Sequence, residues 1–140
     1  MSDFVGRFEH SLDEKGRLSL PARFRLDFAD GANLTQHFEG CLALWAPGEF
    51  SRQMRDMKEL YRQGNPDARN QSRMWAQGVS VLEVDKQGRL VVPASARTFA
   101  GLSSEALIIG VLDHLEIWNP RRFDERVAPA EGFLMGSDLA

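Results

Sequence analysis

The chain contains one sequence motif twice, and this repeat limits the folds that are open to it. Segment 13–25 aligns with segment 85–97 at a constant spacing of 72 residues, and seven of the thirteen aligned positions are identical. A second match, of 42–50 with 115–123, follows at a spacing of 73 residues. Because a repeating unit that cannot bury its apolar face alone packs against its neighbour, we expect two equivalent lobes with a shared core. Whatever the motif binds, the molecule is expected to bind twice.

Length and composition are typical of one soluble domain. A chain of 140 residues, 43% apolar and 26% charged, can bury one sizeable core, whereas halves of about 70 residues would be marginal alone. No apolar run is long enough to cross a membrane, and the N-terminus lacks a signal-peptide pattern. The single cysteine, Cys41, lies in an apolar stretch, which favours a buried thiol and excludes an intramolecular disulfide. We therefore expect a cytoplasmic protein with no membrane partner.

Basic residues are concentrated in the repeated motif. The whole chain has a formal charge of −3, which by itself does not indicate a nucleic-acid partner. Segment 13–25, however, has four basic side chains against two acidic ones, and segment 85–97 has three against one. The motif is therefore a local positive surface on an acidic protein, and such a surface favours a polyanionic partner.

Each copy of the motif is predicted to form a strand, a tight turn and a second strand. Side chains alternate in polarity from Phe4 to Leu12 and again around Leu90, and a four-residue turn of the type Asp-x-x-Gly separates the strands. A proline, Pro21 or Pro93, ends the second strand and opens a short helix. Two further strands are predicted in each copy before a Trp-x-Pro sequence opens another helix.

These elements divide the chain into four predicted regions: a first repeat with its helix at 1–64, a connecting helix at 65–78, a second repeat at 79–127 and a flexible tail at 128–140. In the first repeat, the helix after Trp45 has one apolar face, made of Phe50, Met54, Met57 and Tyr61. Trp45 and Trp118 each follow an apolar strand, which predicts that their indole rings cap the core.

The turn residues of the motif are predicted to shape the backbone. Asp at the first position of a tight turn accepts backbone hydrogen bonds, and Gly at the fourth position adopts a positive φ without steric cost. We assign this role to four residues: Asp13, Gly16, Asp85 and Gly88.

The basic residues of the motif allow more than one interpretation. Arg17 and Arg89 follow the turn glycines on the strand face opposite the apolar residues. In one interpretation they pair with the turn aspartate or lie on a solvated surface. In the other, their planar guanidinium groups contact guanine edges or phosphate. Lys15 and Lys86 lie at the turn tips, where phosphate contacts are expected. Three arginines fit either the same DNA groove or a solvated helix surface: Arg23, Arg25 and Arg97.

The doubled motif Asp-x-x-Gly-Arg-Leu-x-[Leu/Val]-Pro-Ala, with a Trp-x-Pro helix opening after each copy, resembles the MraZ family of bacterial proteins. The resemblance covers residues 3–127. It places the chain in the wider class of AbrB/SpoVT-type DNA-binding folds. It implies an α+β, β-rich fold, in which two internal repeats form a double-split (swapped-hairpin) β-barrel with flanking helices.

The same resemblance implies a function. It implies a ring-shaped homo-oligomer that binds short tandem repeats of double-stranded DNA in the promoter of the division and cell-wall gene cluster. The protein would then be a nucleoid-associated transcriptional regulator. By match to the family motif, the DNA-contacting arginines are Arg17 and Arg89, together with the turn residues around them.

Other classes of function are less well supported. Single-copy relatives of this motif are antitoxins that bind DNA and a toxin, but two fused copies without a long flexible tail argue against that role. The histidines, His10, His37 and His114, are scattered, and His10 lies on an apolar strand face that favours an ordinary core histidine. We expect no catalytic residue, metal, cofactor or small-molecule substrate, because no ligand spacing or phosphate-binding glycine loop occurs. A purely structural ring, in which the motif arginines contact nothing outside the fold, is the remaining alternative.

Overall fold

The strands of the two repeats pair mainly with each other. The computed structural model describes residues 3–136, in which eight strands form a six-stranded antiparallel sheet and a separate two-stranded ribbon. The strands are β1 (Arg7–Ser11), β2 (Arg17–Ser19), β3 (Ala32–Gln36), β4 (Leu42–Trp45), β5 (Ser80–Leu82), β6 (Arg89–Val91), β7 (Glu105–Gly110) and β8 (Leu115–Trp118). The order in the large sheet is β1-β7-β8-β4-β3-β5, and β2 pairs with β6 in the ribbon.

Helices connect and cover these strands. The α-helices are α1 (Pro47–Arg62), α2 (Pro66–Gln77), α3 (Ala94–Ala100), α4 (Pro120–Arg126) and α5 (Glu131–Leu134), and 3-10 helices span Ala22–Phe28 and Ala128–Ala130. Within residues 3–136, no helix is both long enough and apolar enough to span a membrane.

The strand pairing follows an approximate twofold symmetry between the repeats. Strand β1 pairs with β7 just as its equivalent β5 pairs with β3, and the ladders β2–β6 and β4–β8 each join equivalent strands. The registers agree as well, because the pairs Asn33–Trp45 and Leu107–Trp118 make Ala32 and Ala106 equivalent positions. His10 lies opposite Ala106, and Leu82, the equivalent of His10, lies opposite Ala32. Each repeat therefore completes the sheet of the other.

In each copy the predicted turn forms, but the two strands that flank it do not continue as a paired hairpin. In the first copy, the Asp13 amide donates to the Arg17 carbonyl at 3.1 Å, and Leu12 makes a single bridge with Leu18. Strand β2 then leaves β1 and pairs with β6 of the other repeat. This exchange brings the apolar faces of both second strands onto one core.

The large sheet has two open edges in the part of the chain that the structure describes. Strands β1 and β5 lie at these edges, and no ladder joins them. The predicted α+β class is confirmed, with antiparallel strands, but the fold is not β-rich, because more of the described residues lie in helices than in strands. The closed double-split barrel is not confirmed by these pairings and stays a prediction.

One apolar core includes residues of both repeats, as the repeat predicts. Side chains from the ribbon strands and from the residue after each strand are at its centre, with no more than 1% of their surface exposed: Leu18, Leu20, Leu90 and Val92. Three aromatic residues extend this core, because the Phe4 ring lies 5.1 Å from Phe24 and 5.7 Å from Phe28 between centroids. The β-ribbon is thus held by burial on one face.

A second, smaller cluster covers the opposite face of the large sheet. It contains Cys41, Leu107 and Trp118. Cys41 is fully buried, and burial raises the pKa of its thiol, so the prediction of a buried cysteine is confirmed. Trp45 is also buried, and its Nε1 donates to the Thr35 hydroxyl at 3.1 Å.

Two histidines have different surroundings. His114 stacks on Trp45 with ring centroids 4.2 Å apart and contacts the carboxylates of Asp113 and Glu116 at 2.7 and 3.4 Å. Burial opposes its charged form, but the hydrogen bonds to Glu116 and Asp113 outweigh it, so the pKa of His114 is raised. His10, expected in the core, is only partly buried because β1 is an edge strand.

Helices α1 and α2 form an antiparallel pair beside the sheet. The predicted apolar face of α1 is partly covered by α2: Phe50 stacks on Trp75 at 5.7 Å, and the Ser72 hydroxyl donates to the Met57 carbonyl at 3.0 Å. In the segment predicted as a tail, the 3-10 helix is followed by α5, and Phe133, Leu134 and Met135 are exposed. Residues 137–140 lie outside the described part of the chain, and the flexibility of the tail stays a prediction.

Candidate nucleic-acid interface

The ribbon of β2 and β6 has one buried face and one open face. Leu18 and Leu90 form its central pair and point into the core. Because side chains alternate along a strand, the other residues of the ribbon share the opposite face. This outer face consists of Arg17, Ser19, Arg89 and Val91. Arg17 lies opposite Val91 and Arg89 opposite Ser19, so the two arginines are diagonal neighbours with Cα atoms about 7–8 Å apart.

The turn before β2 is organised by one carboxylate. Asp13 Oδ1 accepts hydrogen bonds from the amides of Lys15 and Arg17, both at 2.9 Å. Asp13 Oδ2 accepts from Arg17 Nε at 2.5 Å. Gly16 closes the turn with a φ of +80°, a value that side chains with a Cβ rarely adopt.

The turn before β6 repeats this geometry. Asp85 Oδ1 accepts from the amides of Gln87 and Arg89 at 2.8 and 2.9 Å, and Oδ2 accepts from Arg89 Nε at 3.1 Å. Gly88 has a φ of +77°. The same arrangement therefore orients an arginine at two equivalent places.

The ion pair with the turn aspartate, one of the two interpretations of the motif arginines, is present in both copies. It engages Nε, and among the described residues no hydrogen bond is made by the terminal Nη atoms of Arg17 or Arg89. The two side chains are 34% and 31% exposed. The aspartate thus fixes the direction of each guanidinium while its outer edge stays free for a ligand, and the two interpretations are compatible.

The turn carboxylates are held in the charged form. Hydrogen bonds from the backbone and side chain of Arg17 lower the pKa of Asp13, and the Arg89 backbone hydrogen bond is the main cause of the lowered pKa of Asp85. Because the pKa of each carboxyl is lower in the folded state than in the unfolded state, its ionised form stabilises the fold at pH values above the unfolded pKa near 3.8. This stabilisation is lost as the pH falls through the folded pKa. The turn geometry is therefore maintained at neutral pH.

We expect Asp13 and Asp85 to titrate with midpoints below 3.8 in the folded protein, measured from carboxyl chemical shifts by NMR. Arg17→Ala should raise the midpoint of Asp13 and leave that of Asp85 unchanged, because each arginine bonds only its own turn. A midpoint for Asp13 that does not respond to Arg17→Ala would contradict the ion pair.

Arg25 and Arg97, at equivalent positions after the ribbon strands, lie against the turns. Arg25 Nε donates to the Leu20 carbonyl at 3.2 Å, and Arg97 Nε donates to the Val92 carbonyl at 3.1 Å. Arg23 is different: it is exposed and lies over the ring of its neighbour Phe24, 5.1 Å from the centroid.

Lys15 and Lys86 are exposed at the turn tips, but they occupy different turn positions, the third in one copy and the second in the other. Ser19 and Val91, which share the outer face with the arginines, were not singled out from the sequence. The alternation of the strand was the signal that would have found them.

Comparison with known proteins agrees with the doubled motif. A family model described as "MraZ protein, putative antitoxin-like" matches residues 4–73 and 76–133. A transcriptional regulator MraZ of Thermomicrobium roseum is 37% identical over 139 residues, which cover 98% of this chain and 97% of the relative. The protein of the same name from Nocardioides sp. is 40% identical over 134 residues, covering 92% and 89%. That of Roseiflexus castenholzii is 38% identical over 120 residues, covering 86% and 83%. The repeats, their spacing and these matches along nearly the whole chain show that the protein belongs to the MraZ family.

Proposed function

We propose that this protein is a sequence-specific, DNA-binding transcriptional regulator that contacts double-stranded DNA through the β2–β6 ribbon and its two turns. The observation that carries the proposal is the outer face of the ribbon, where aspartates orient Arg17 and Arg89 and no other group in the described part of the chain bonds their Nη atoms. The major groove admits a two-stranded β-ribbon, and an arginine fork matches the O6 and N7 acceptors of guanine. The curated relatives named transcriptional regulators support the same function.

The motif residues take separate roles in this proposal. Arg17 and Arg89 contact base edges, and Lys15 and Lys86 contact phosphates. The remaining arginines of the motif, Arg23, Arg25 and Arg97, add positive charge beside the groove. Four residues shape the turns: Asp13, Gly16, Asp85 and Gly88.

We further propose a ring-shaped homo-oligomer that binds short tandem DNA repeats in the promoter of the division and cell-wall gene cluster, in the cytoplasm and on the nucleoid. The two repeats, 1–64 and 79–127, would form a double-split barrel in each subunit. Exposed apolar side chains support self-association, since Phe38 and Leu112, at the equivalent turns β3–β4 and β7–β8, are 91% and 72% exposed.

The function is tested by a gel-shift titration of the purified protein with the DNA upstream of its own gene, against a scrambled duplex of the same composition. We expect retention of the upstream DNA at protein concentrations that leave the scrambled duplex free. Equal binding of both duplexes, or of neither, would contradict sequence-specific binding and favour the purely structural ring.

Assembly is expected to control affinity. One ribbon offers a small positive surface on an acidic protein, so a single subunit should bind weakly, and several linked ribbons on matching DNA repeats should gain by effective concentration. Light scattering should show a ring-sized particle rather than a 15.8 kDa monomer, and affinity should fall steeply when the DNA is shortened from several repeats to one. A monomer that binds a single repeat with full affinity would contradict this proposal.

Lys15→Ala should weaken binding to target and scrambled DNA alike. A phosphate contact releases counterions, so losing it should reduce the slope of log K against log salt by about 1 for each engaged contact. The control is Lys58→Ala, which removes an exposed lysine from helix α1, away from the motif. A change of base preference with an unaltered salt slope would instead make Lys15 a base contact.

A further inference from the structure

The turn of each repeat is covered by an arginine of the other repeat. A Cβ added to Gly16 would lie 3.0 Å from both Cζ and Nε of Arg97, and a Cβ on Gly88 would overlap the guanidinium of Arg25. Each arginine thus lies directly on the Cα of the opposite turn glycine. Besides allowing the positive φ, glycine leaves the space in which the guanidinium lies.

The strand exchange causes this crossing. The Val92 amide donates to the Gly16 carbonyl, and the Leu20 amide donates to the Gly88 carbonyl, both at 2.9 Å. Val92 and Leu20 are also the residues whose carbonyls accept from Arg97 and Arg25. The residue after each ribbon strand therefore makes two hydrogen bonds. Its amide donates to the turn of the other repeat, and its carbonyl accepts from the arginine of its own repeat.

We propose that the protein has two composite sites for DNA phosphate and base edges, each built from both repeats. Site A consists of turn 13–17 with Arg97, and site B consists of turn 85–89 with Arg25. The proposal deepens the proposed function and rests on it. Arg25 of the first repeat thus contributes to the DNA contact of the second repeat, and Arg97 of the second repeat contributes to that of the first.

Charge and order support the composite sites. At each turn, one arginine is anchored through Nε to a carboxylate and the other through Nε to a carbonyl. Among the described residues, Arg25 and Arg97 have no ion pair, so no carboxylate of this part of the chain neutralises their charge. A guanidinium ordered before binding loses little further conformational entropy when an anion arrives. Each site therefore offers two ordered forks, one neutralised by aspartate and one carrying net positive charge.

The crossing is tested first by double-mutant cycles for DNA binding. Each single variant, Arg25→Ala, Arg17→Ala or Arg89→Ala, should weaken binding to a duplex shortened to one upstream repeat by roughly 10-fold, as one lost arginine contact does. Adding Arg25→Ala to Arg89→Ala should lower the affinity by less than about 3-fold further, because both residues belong to site B. Adding Arg25→Ala to Arg17→Ala should lower the affinity by about 10-fold further, because those residues lie in separate sites.

The second test measures amide hydrogen exchange without DNA. Arg25→Ala should speed exchange at the amides of Gly88 and Arg89 and leave those of Gly16 and Arg17 unchanged. Arg97→Ala should do the reverse. If an alanine variant fails to fold, Arg25→Lys keeps the charge and the aliphatic stem but loses the carbonyl anchor, and the same crossed pattern is expected. Arg23→Ala, two residues away, is the matched control and should alter neither turn.

The crossed sites would be overturned if the double-mutant cycles couple Arg25 with Arg17 instead of Arg89. They would also be overturned if Arg25→Ala speeds amide exchange in turn 13–17 of its own repeat. A wild-type protein that does not discriminate the upstream duplex would overturn the proposed function. The exchange measurement would still decide the crossing in that case, because it needs no DNA.

Discussion

The double variant Arg17→Ala, Arg89→Ala is expected to lose discrimination between the upstream DNA and a scrambled duplex. A bidentate arginine–guanine contact contributes about 1–3 kcal/mol of base discrimination, and each subunit would lose two of them. Across a ring on tandem DNA repeats this loss multiplies, so the shifted band should disappear from a gel at concentrations that saturate the wild type.

The fold of that variant should survive. Both arginines are partly exposed and pair with exposed aspartates, and such ion pairs contribute roughly 0–1 kcal/mol each. Circular dichroism and light scattering should therefore show a folded particle of wild-type size. Arg17→Lys should lose nearly as much affinity as Arg17→Ala, because an ammonium keeps the charge but loses the planar fork. A folded double variant that still discriminates its DNA would remove the ribbon from the proposed interface.

Trp118→Ala is expected to be the most destabilising single change proposed for this chain. Trp118 is 2% exposed and packs edge-on against Phe123, with ring centroids 5.7 Å apart. Truncating a buried tryptophan costs about 3–5 kcal/mol. The change also removes the indole donor of Glu116, which accepts from Nε1 at 2.9 Å. In a domain of this size we expect a fall in Tm of roughly 10–15 °C.

Thermal and denaturant unfolding measure this effect, with Leu26→Ala, at a position that is 90% exposed, as the control. The control should change the free energy of unfolding by no more than about 0.5 kcal/mol. If Trp118→Ala leaves stability unchanged and abolishes assembly instead, the indole contributes to a subunit interface rather than to the core of one subunit.

Local chemistry of the sequence predicts the local structure of the motif. An aspartate followed three residues later by glycine predicts a tight turn, and the turn forms in both copies with the same hydrogen bonds. Period-two alternation predicts which face of the strand is buried, and Arg17 indeed lies on the face opposite Leu18. These features depend on residues within a few positions of one another, so a single stretch of sequence is enough to encode them.

The partners of the strands were decided by the tertiary structure. The alternation of β2 is satisfied equally well by pairing with β1 or with β6, because either arrangement puts Leu18 on an apolar face. The chain pairs β2 with β6 and leaves β1 at a sheet edge, where His10 is partly exposed rather than in the core. Only contacts between residues far apart in sequence distinguish these arrangements.

The positions of Arg25 and Arg97 depend on the same distant contacts. In the sequence both fit a DNA groove or a solvated helix surface, and nothing nearby in the chain separates the two. By itself, the sequence determined the turns, the buried faces, the repeat and the family. The tertiary structure decided that each arginine lies on the turn of the other repeat. The backbone hydrogen bonds Val92–Gly16 and Leu20–Gly88 join segments that are far apart in sequence, and only the fold brings those segments together.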